Sequence, residues 1–141
     1  MMRHLLVPTL LAAVVAGPVA VRAQSADTAR AVLVTGASSG IGRKIAERLA
    51  AQGFFVYAGA RAQKDLDALN PIKNVQAIRL DVTVPGDIAA AVATVTKAGR
   101  GLHGVVNNAG VAIVAPLIEV EEKELDFIFN VNIYGPYRIT K

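Results

Sequence analysis

The segment TGASSGIG at residues 35–42 combines glycines and small polar residues in the pattern of an anion-binding turn. Gly36 permits a tight turn, Gly40 lets a bound diphosphate approach the backbone without a Cβ in the way, and Gly42 allows the following helix to pack close to a sheet. The unpaired N–H groups at the start of that helix would face the anion. The spacing differs from the commoner G-x-G-x-x-G, and no Gly-Lys-Ser/Thr follows as in a P-loop. The candidate contact residues are Gly36, Ser38, Ser39, Gly40, Ile41 and Gly42.

Ala60 and Arg61 stand at the end of the next apolar run, FFVYAGA. A dinucleotide site that prefers NAD usually places an Asp or Glu at this point to bind the ribose hydroxyls. Without that carboxylate a 2′-phosphate is tolerated, and Arg61 could bind it through charge-assisted hydrogen bonds worth about 1.5–3 kcal/mol. The alternative is an ordinary exposed loop arginine. The position predicts NADP as the cofactor, with NAD as the second choice.

Polar residues also mark the ends of two further apolar runs and one helix. Asp81 follows a strand candidate at the edge where ligands bind in open α/β sheets, although capping of the next helix is an equally common role. Asn107 and Asn108 lie at the same edge of the fourth strand candidate, and an Asn-Ala-Gly turn alone would also explain them. Asn132 is a poor helix former inside a predicted helix, which indicates either a local distortion or a solvent-facing amide.

The elements that must position these residues alternate between short apolar runs and amphipathic segments from Ala31 onward. This alternation is typical of βαβ units and a parallel sheet. The predicted strands span residues 31–37, 54–60, 75–82 and 102–110, and they are near-continuously apolar, as in sheets that are buried on both faces. The sequence therefore predicts an α/β fold with a Rossmann-like doubly wound parallel sheet. It is truncated to about four strands, whereas such folds usually have six or more strands in two halves.

The predicted helices have recognisable ends. The first follows the glycine turn and ends before Gly53, and the third begins at Pro85 and ends at Gly99. A shorter helix is predicted over 63–69. The last begins near Glu121 and carries a predicted apolar stripe of Leu125, Ile128, Phe129 and Ile133 before Gly135-Pro136 disturbs it.

Residues 1–23 have the features of a secretory signal peptide. Arg3 and His4 precede an apolar run that begins at Leu5, and small residues precede a cleavage point after Ala23. The run is too short and interrupted for a membrane span, so none is expected after leader removal. The alternatives are an uncleaved N-terminal anchor or a mistranslated upstream start. Cleavage would make the protein periplasmic or secreted and leave 24–141 as the domain; otherwise it would be cytoplasmic or membrane-anchored.

The composition excludes several classes of function. A hydrophobic content of 53% with 18% charged residues fits a packed domain. The net charge of +4 falls to +2 without Arg3 and Arg22 of the leader, and the basic residues form no run, so no nucleic-acid partner is predicted. The absence of cysteine excludes disulfides, thiolate catalysis and Cys-ligated zinc, and no other metal site is predicted.

Four motifs in order resemble the short-chain dehydrogenase/reductase family. They are TGASSGIG, the Leu80-Asp81-Val82 end of the third strand, NNAG at 107–110, and the Asn132-Ile133-Tyr134-Gly135 stretch. The resemblance covers about 31–141 and implies an NAD(P)-dependent oxidoreductase that acts on a small carbonyl or alcohol substrate. It also implies a homo-oligomer for a complete enzyme.

The resemblance assigns roles to individual residues. Asp81 and Val82 would contact the adenine ring, and Arg61 the 2′-phosphate. Thr35 and Asn107 would tie strands together. The backbone of Asn132 would hold a water in the proton relay. The residues near the cofactor ribose would be Asn108, Ala109 and Gly110.

Tyr137 and Lys141 have the Tyr-x3-Lys spacing that carries the proton chemistry of this family. One helical turn places an ammonium near a phenol and lowers the phenol pKa from about 10. However, Tyr137 follows Asn132 by five residues in the same helix, about 140° around the axis and about 7.5 Å along it. The family places a strand and a catalytic Ser between the two positions. We therefore expect a cofactor-binding part that stops before its catalytic Ser, Tyr and Lys and is inactive alone, or, alternatively, a non-catalytic dinucleotide-binding module complete at this length.

Overall fold

The computed structural model describes residues 30–141, and the leader prediction therefore lies outside the described residues. Four strands alternate with helices: β1 is Ala31–Val34, β2 Phe55–Ala60, β3 Val75–Arg79 and β4 Gly104–Val106. The helices are α1 Gly40–Ala51, α2 Gln63–Leu69, α3 Pro85–Ala98, α4 Glu122–Asn132 and α5 Tyr134–Thr140, with a short 3-10 helix at Leu117–Glu119. None of the helices within 30–141 is long and apolar enough to cross a membrane.

All four strands pair in parallel in the order β3-β2-β1-β4. The chain moves outward from β1 to β3 and then returns to place β4 on the other side of β1. The connections therefore diverge between β1 and β4, and in open α/β sheets such a point forms a crevice beyond the carboxyl ends of the strands. The predicted fold class is confirmed, and the topology places a ligand crevice beside Val34.

The core has two layers, one on each face of the sheet. One layer joins α1 and α2 to alternate strand residues such as Val34 and Val56. The other packs α3 against Leu33, Tyr57 and Leu80. Tyr57 is fully buried, and its hydroxyl has no hydrogen-bond partner among the described residues. Burial on both faces explains the near-continuous apolar strands.

The helix ends agree with the sequence at three positions. Gly53 and Gly99 both have positive φ, at 89° and 67°, just after α1 and α3. Pro85 begins α3, where its missing N–H has no helical partner to lose. The first, third and fourth strands are all shorter than predicted, because residues 35–37, 80–82 and 107–110 leave the sheet at its carboxyl edge. Residues 107–110 form the turn after β4, in which the Asn108 N–H donates to the Val106 carbonyl at 3.1 Å.

The last helix differs from the prediction in two ways. It is interrupted at Ile133, with φ −111° and ψ −60°, and the Gly135-Pro136 pair lies inside the first turn of α5. A proline is tolerated there because the first-turn N–H groups are not needed. The predicted apolar stripe is wrong for Leu125, Phe129 and Ile133, which are exposed. Its fourth member, Ile128, is half-buried, and the buried residue of α4 is Val131.

Candidate cofactor-binding site

A cavity of about 550 Å³ opens at the carboxyl edge of the sheet. It is lined by the segments that follow all four strands, with two side chains from α4. Every cofactor-contact residue that the sequence predicts lies on this lining: Gly36, Ser38, Ser39, Gly40, Ile41, Gly42, Arg61, Asp81, Val82, Asn108, Ala109 and Gly110. The structure therefore brings these predicted residues together, and their contacts with a cofactor stay a prediction.

The turn after β1 presents free backbone donors to the cavity. Ser39 is the N-cap of α1 in an extended conformation, and its side chain makes no capping hydrogen bond within 30–141. The first helical bond comes from Arg43 N to the Ser39 carbonyl at 3.2 Å, so the preceding N–H groups have no helical partner. Gly40 has φ +56°, and a Cβ there would meet nothing within 4 Å. These donors fit an anionic group such as a diphosphate.

Gly42 is needed for a contact that the sequence did not predict. A Cβ at Gly42 would lie 2.3 Å from both the Asn108 Nδ2 and the Gly36 carbonyl oxygen. At Gly42 itself the close approach is to the turn after β1 and the turn after β4, whereas α1 packs on the sheet through Ala46 and Ala50, as expected. A methyl group at this position would force the Asn108 side chain out of its place.

Thr35 holds the turn after β4. Its buried hydroxyl accepts hydrogen bonds from the backbone N–H groups of Asn108 and Ala109, both at 3.0 Å. The Asn108 Nδ2 donates to the carbonyls of Thr35 and Gly36, each at 3.0 Å. The residue that ties the strands together with Thr35 is therefore Asn108, and the expectation for Asn107 is wrong because its side chain is exposed.

Asp81 is held mainly by its own segment. Its Oδ1 accepts from the Thr83 N–H at 2.9 Å and from the Thr83 hydroxyl at 2.6 Å. Partial burial alone would raise the pKa of Asp81, but the Thr83 hydrogen bonds, with Arg61 and Arg79 nearby, outweigh it and hold the pKa below its usual value. A charged Asp81 closes a local turn before α3, whose N-cap is Val84. The helix-capping alternative is therefore not what the structure shows.

Arg61 lies at the mouth of the cavity beside Asp81. Its Nη1 is 4.0 Å from the Asp81 Oδ2, and 68% of its side chain is exposed. At this distance and exposure the ion pair is weak. The guanidinium therefore remains available to an incoming anion.

Asn132 joins the end of α4 to the loop after β4. Its Oδ1 accepts from the Val111 N–H at 2.9 Å, and its Nδ2 donates to the Val111 carbonyl at 2.8 Å. The solvent-facing alternative is therefore wrong, and the predicted distortion is present at the next residue. Pro136 stands four residues later and has no N–H, so the helical donor to the Asn132 carbonyl is missing. Asn132 itself does not line the cavity.

Tyr137 and Lys141 lie outside the cavity. Neither residue lines it, and 58% of Tyr137 is exposed. The Lys141 Nζ sits 5.6 Å from the centre of the Tyr137 ring. This arrangement is a cation–π contact on the surface of α5.

Phe127 and Val131 line the cavity from α4 and were missed by the sequence analysis. They are four residues apart and so share a face of α4, but the apolar residues of this helix fit more than one such face, and the sequence did not single this one out. No pattern in the sequence predicted a role for Arg79 or Asp87. Arg79 contacts the backbone of Arg61, and Asp87 contacts that of Asp81.

The sheet order and the donor-rich turn at its carboxyl edge are those of an α/β nucleotide-binding fold. The family model described as short chain dehydrogenase matches residues 30–141. The chain therefore belongs to the short-chain dehydrogenase family. Its homologues in this family are oxidoreductases.

Individual relatives agree with this assignment. An L-2,3-butanediol dehydrogenase of Corynebacterium glutamicum is 35% identical over 115 residues, which are 77% of this chain and 45% of that protein. A 3-ketoacyl-(acyl-carrier-protein) reductase from Brucella melitensis complexed with NADH has 33% identity and a TM-score of 0.73 over 79% of this chain and 47% of that one. An actinorhodin polyketide ketoreductase with NADPH has 30% identity and a TM-score of 0.76 over 81% and 46%. The chain spans 38% to 46% of the length of the curated relatives it matches.

Proposed function

We propose that this chain is the cofactor-binding part of an NADP(H)-preferring oxidoreductase that transfers a hydride between a nicotinamide cofactor and a carbonyl or alcohol substrate. The observation that carries the NADP preference is Arg61, which lines the cavity at the end of β2 where an NAD site usually has a carboxylate. Solved relatives with NADH and with NADPH show that the family takes either cofactor, so the preference rests on this side chain.

Different residues of the cavity would bind different parts of the cofactor. The free N–H groups at the start of α1 would bind the diphosphate, and Arg61 would bind the 2′-phosphate. Asp81 and Val82 would hold the adenine, and the turn at Asn108–Gly110 would contact a ribose. The nicotinamide, when bound, supplies or accepts the hydride.

Asn132 would take part in proton transfer by holding a water molecule. Its carbonyl lacks a helical donor because Pro136 follows four residues later, so the oxygen would accept a hydrogen bond from a water. The position of Tyr137 and Lys141 on the surface supports the proposal that this pair is not the catalytic one and that the chain alone is inactive. Measurable NADPH turnover with any member of a panel of aldehydes and ketones by the purified chain would contradict this.

Binding experiments test the cofactor preference directly. The purified chain should bind NADPH more tightly than NADH in isothermal titration. In Arg61→Ala, the loss of charge-assisted bonds should weaken NADPH by about 10- to 150-fold and NADH by about 2-fold or less. Arg48→Ala is the matched control, because Arg48 is an exposed arginine in the last turn of α1. Equal losses for the two cofactors in Arg61→Ala would remove the 2′-phosphate role.

The proposal also covers the N-terminal leader and the oligomeric state of the enzyme. We place the enzyme in the periplasm or outside the cell, with cleavage after Ala23 and a domain over 24–141. Mass spectrometry of the mature N-terminus tests the cleavage. A complete enzyme is proposed to be a homo-oligomer, which light scattering would measure.

A further inference from the structure

Arg79 contacts the backbone from which Arg61 projects. It is the last residue of β3, paired in register with Ala60 on β2. Its Nη1 donates to the carbonyl of Arg61 at 3.2 Å. The segment after β2 leaves the sheet at this point, and this bond ties it to the neighbouring strand.

Asp87 forms a second ion pair of the same kind with Arg79, whose side chain is also exposed. Its Oδ2 is 3.8 Å from the Arg79 Nε and also accepts the Asp81 N–H at 3.0 Å. Asp87 is the third residue of α3, where a negative charge is favoured by the helix dipole. Together with the 4.0 Å pair of Asp81 and Arg61, these contacts close a ring of two arginines and two aspartates.

Two contacts of this ring reach Arg61, one at its side chain and one at its backbone carbonyl. Within the described residues its ionic partner is Asp81, at a distance that fixes its geometry only loosely. The bond from Arg79 to the Arg61 carbonyl is shorter and directional, and it restrains the backbone where the Arg61 side chain starts, together with the bond from the Leu80 N–H to the Ala60 carbonyl at 2.9 Å. A guanidinium that already points at the cavity mouth loses less freedom when it binds an anion.

We propose that Arg79 is a positioning residue for cofactor selection, which holds Arg61 where it can bind the 2′-phosphate. Arg79 does not line the cavity and acts through Arg61. The inference rests on the proposed 2′-phosphate role of Arg61.

The test compares two ligands that differ by the 2′-phosphate, namely 2′,5′-ADP and 5′-AMP, by isothermal titration of the purified chain. Arg79→Gln should weaken 2′,5′-ADP by about 3- to 10-fold and change 5′-AMP by about 2-fold or less. Arg79→Lys, which keeps a donor for the carbonyl, should recover part of the loss. Arg48→Gln, which removes an exposed arginine on α1, should match the wild type.

A double variant separates positioning from direct contact. In the Arg61→Ala background, Arg79→Gln should cause no further loss of 2′,5′-ADP affinity, because its effect passes through Arg61. Additive losses would show that Arg79 binds the phosphate itself and would overturn the proposal. Equal losses for both ligands in Arg79→Gln, with circular dichroism showing a folded protein, would also overturn it.

The failure of this inference is distinguishable from the failure of the proposed function. If Arg61→Ala loses 2′,5′-ADP affinity and Arg79→Gln does not, only the positioning role of Arg79 is refuted. If the wild type does not prefer 2′,5′-ADP, or Arg61→Ala has no effect, the NADP preference is refuted and the inference falls with it.

Discussion

The hydroxyl of Thr35 should contribute more to stability than its size indicates. Thr35→Val keeps the shape of the side chain but removes the oxygen that accepts the N–H groups of Asn108 and Ala109 at 3.0 Å. Thr35 is only 1% exposed, so water cannot take the place of that oxygen. Leaving a buried donor unpaired costs about 1–3 kcal/mol. Since the two donors are only partly buried, the low end of about 1 kcal/mol applies to each, and the free energy of unfolding should fall by about 2 kcal/mol.

Urea unfolding followed by far-ultraviolet circular dichroism measures this loss. Thr35→Ser is the matched control, because it keeps the oxygen and removes one methyl, which costs about 0.8 kcal/mol. The Val variant should also bind NADPH more weakly, since the turn at Asn108–Gly110 lines the cavity. A Val variant as stable as the Ser variant, with an unchanged denaturant slope, would refute the reasoning.

Three further changes test other contacts. Gly42→Ala should lower the free energy of unfolding by about 1–3 kcal/mol in urea, because its Cβ would lie 2.3 Å from the Asn108 Nδ2. Tyr57→Phe should raise the melting temperature and stabilise by about 1 kcal/mol, since it removes a buried hydroxyl without a partner among the described residues. The lowered pKa of Asp81 means that its charge stabilises the fold above the usual value of 3.8. That stabilisation is lost as the pH falls through the lower folded value, so Asp81→Asn should flatten the acid limb of stability against pH.

Each of these three substitutions has a control variant or a result that would contradict its prediction. Gly86→Ala places a methyl in open space within α3 and should be neutral or stabilising by about 0.5–1 kcal/mol. An equal effect of Gly42→Ala would mean that α1 moves away from the turn at no cost. Tyr137→Phe removes an exposed hydroxyl and should change stability by less than about 0.5 kcal/mol. An Asp81→Asn variant with the acid limb of the wild type would show that this carboxylate does not govern it.

The predictions that succeeded depend on short stretches of chain. Gly53, Pro85 and Gly99 mark helix ends because their backbone preferences act locally. The period of the apolar residues predicts strands and helices for the same reason. Arg61 could be placed at the cavity mouth because it directly follows a strand, and the ends of parallel strands share one edge.

The sequence predictions that failed are those that had to choose between neighbouring residues. Nothing local distinguishes Asn107 from Asn108, and which one faces Thr35 depends on how the chain turns after β4. Likewise, the apolar residues of α4 fit more than one stripe, and only packing shows that Val131 is the buried one. The interruption at Ile133 precedes the Gly-Pro pair because that pair is accommodated in the first turn of α5.

By itself, the sequence determined the alternation of strands and helices, the glycine turn that begins α1, and the family to which the motifs belong. The tertiary structure alone decided the contacts that hold the site together. Thr35 and Asn108 are 73 residues apart and meet only because β4 lies beside β1. The ring that joins Arg61, Arg79 and Asp87 exists only because β3 pairs with β2 and α3 starts at the same edge. A local pattern carries no information on which strands are neighbours, and strand order is what brings these side chains within hydrogen-bonding distance.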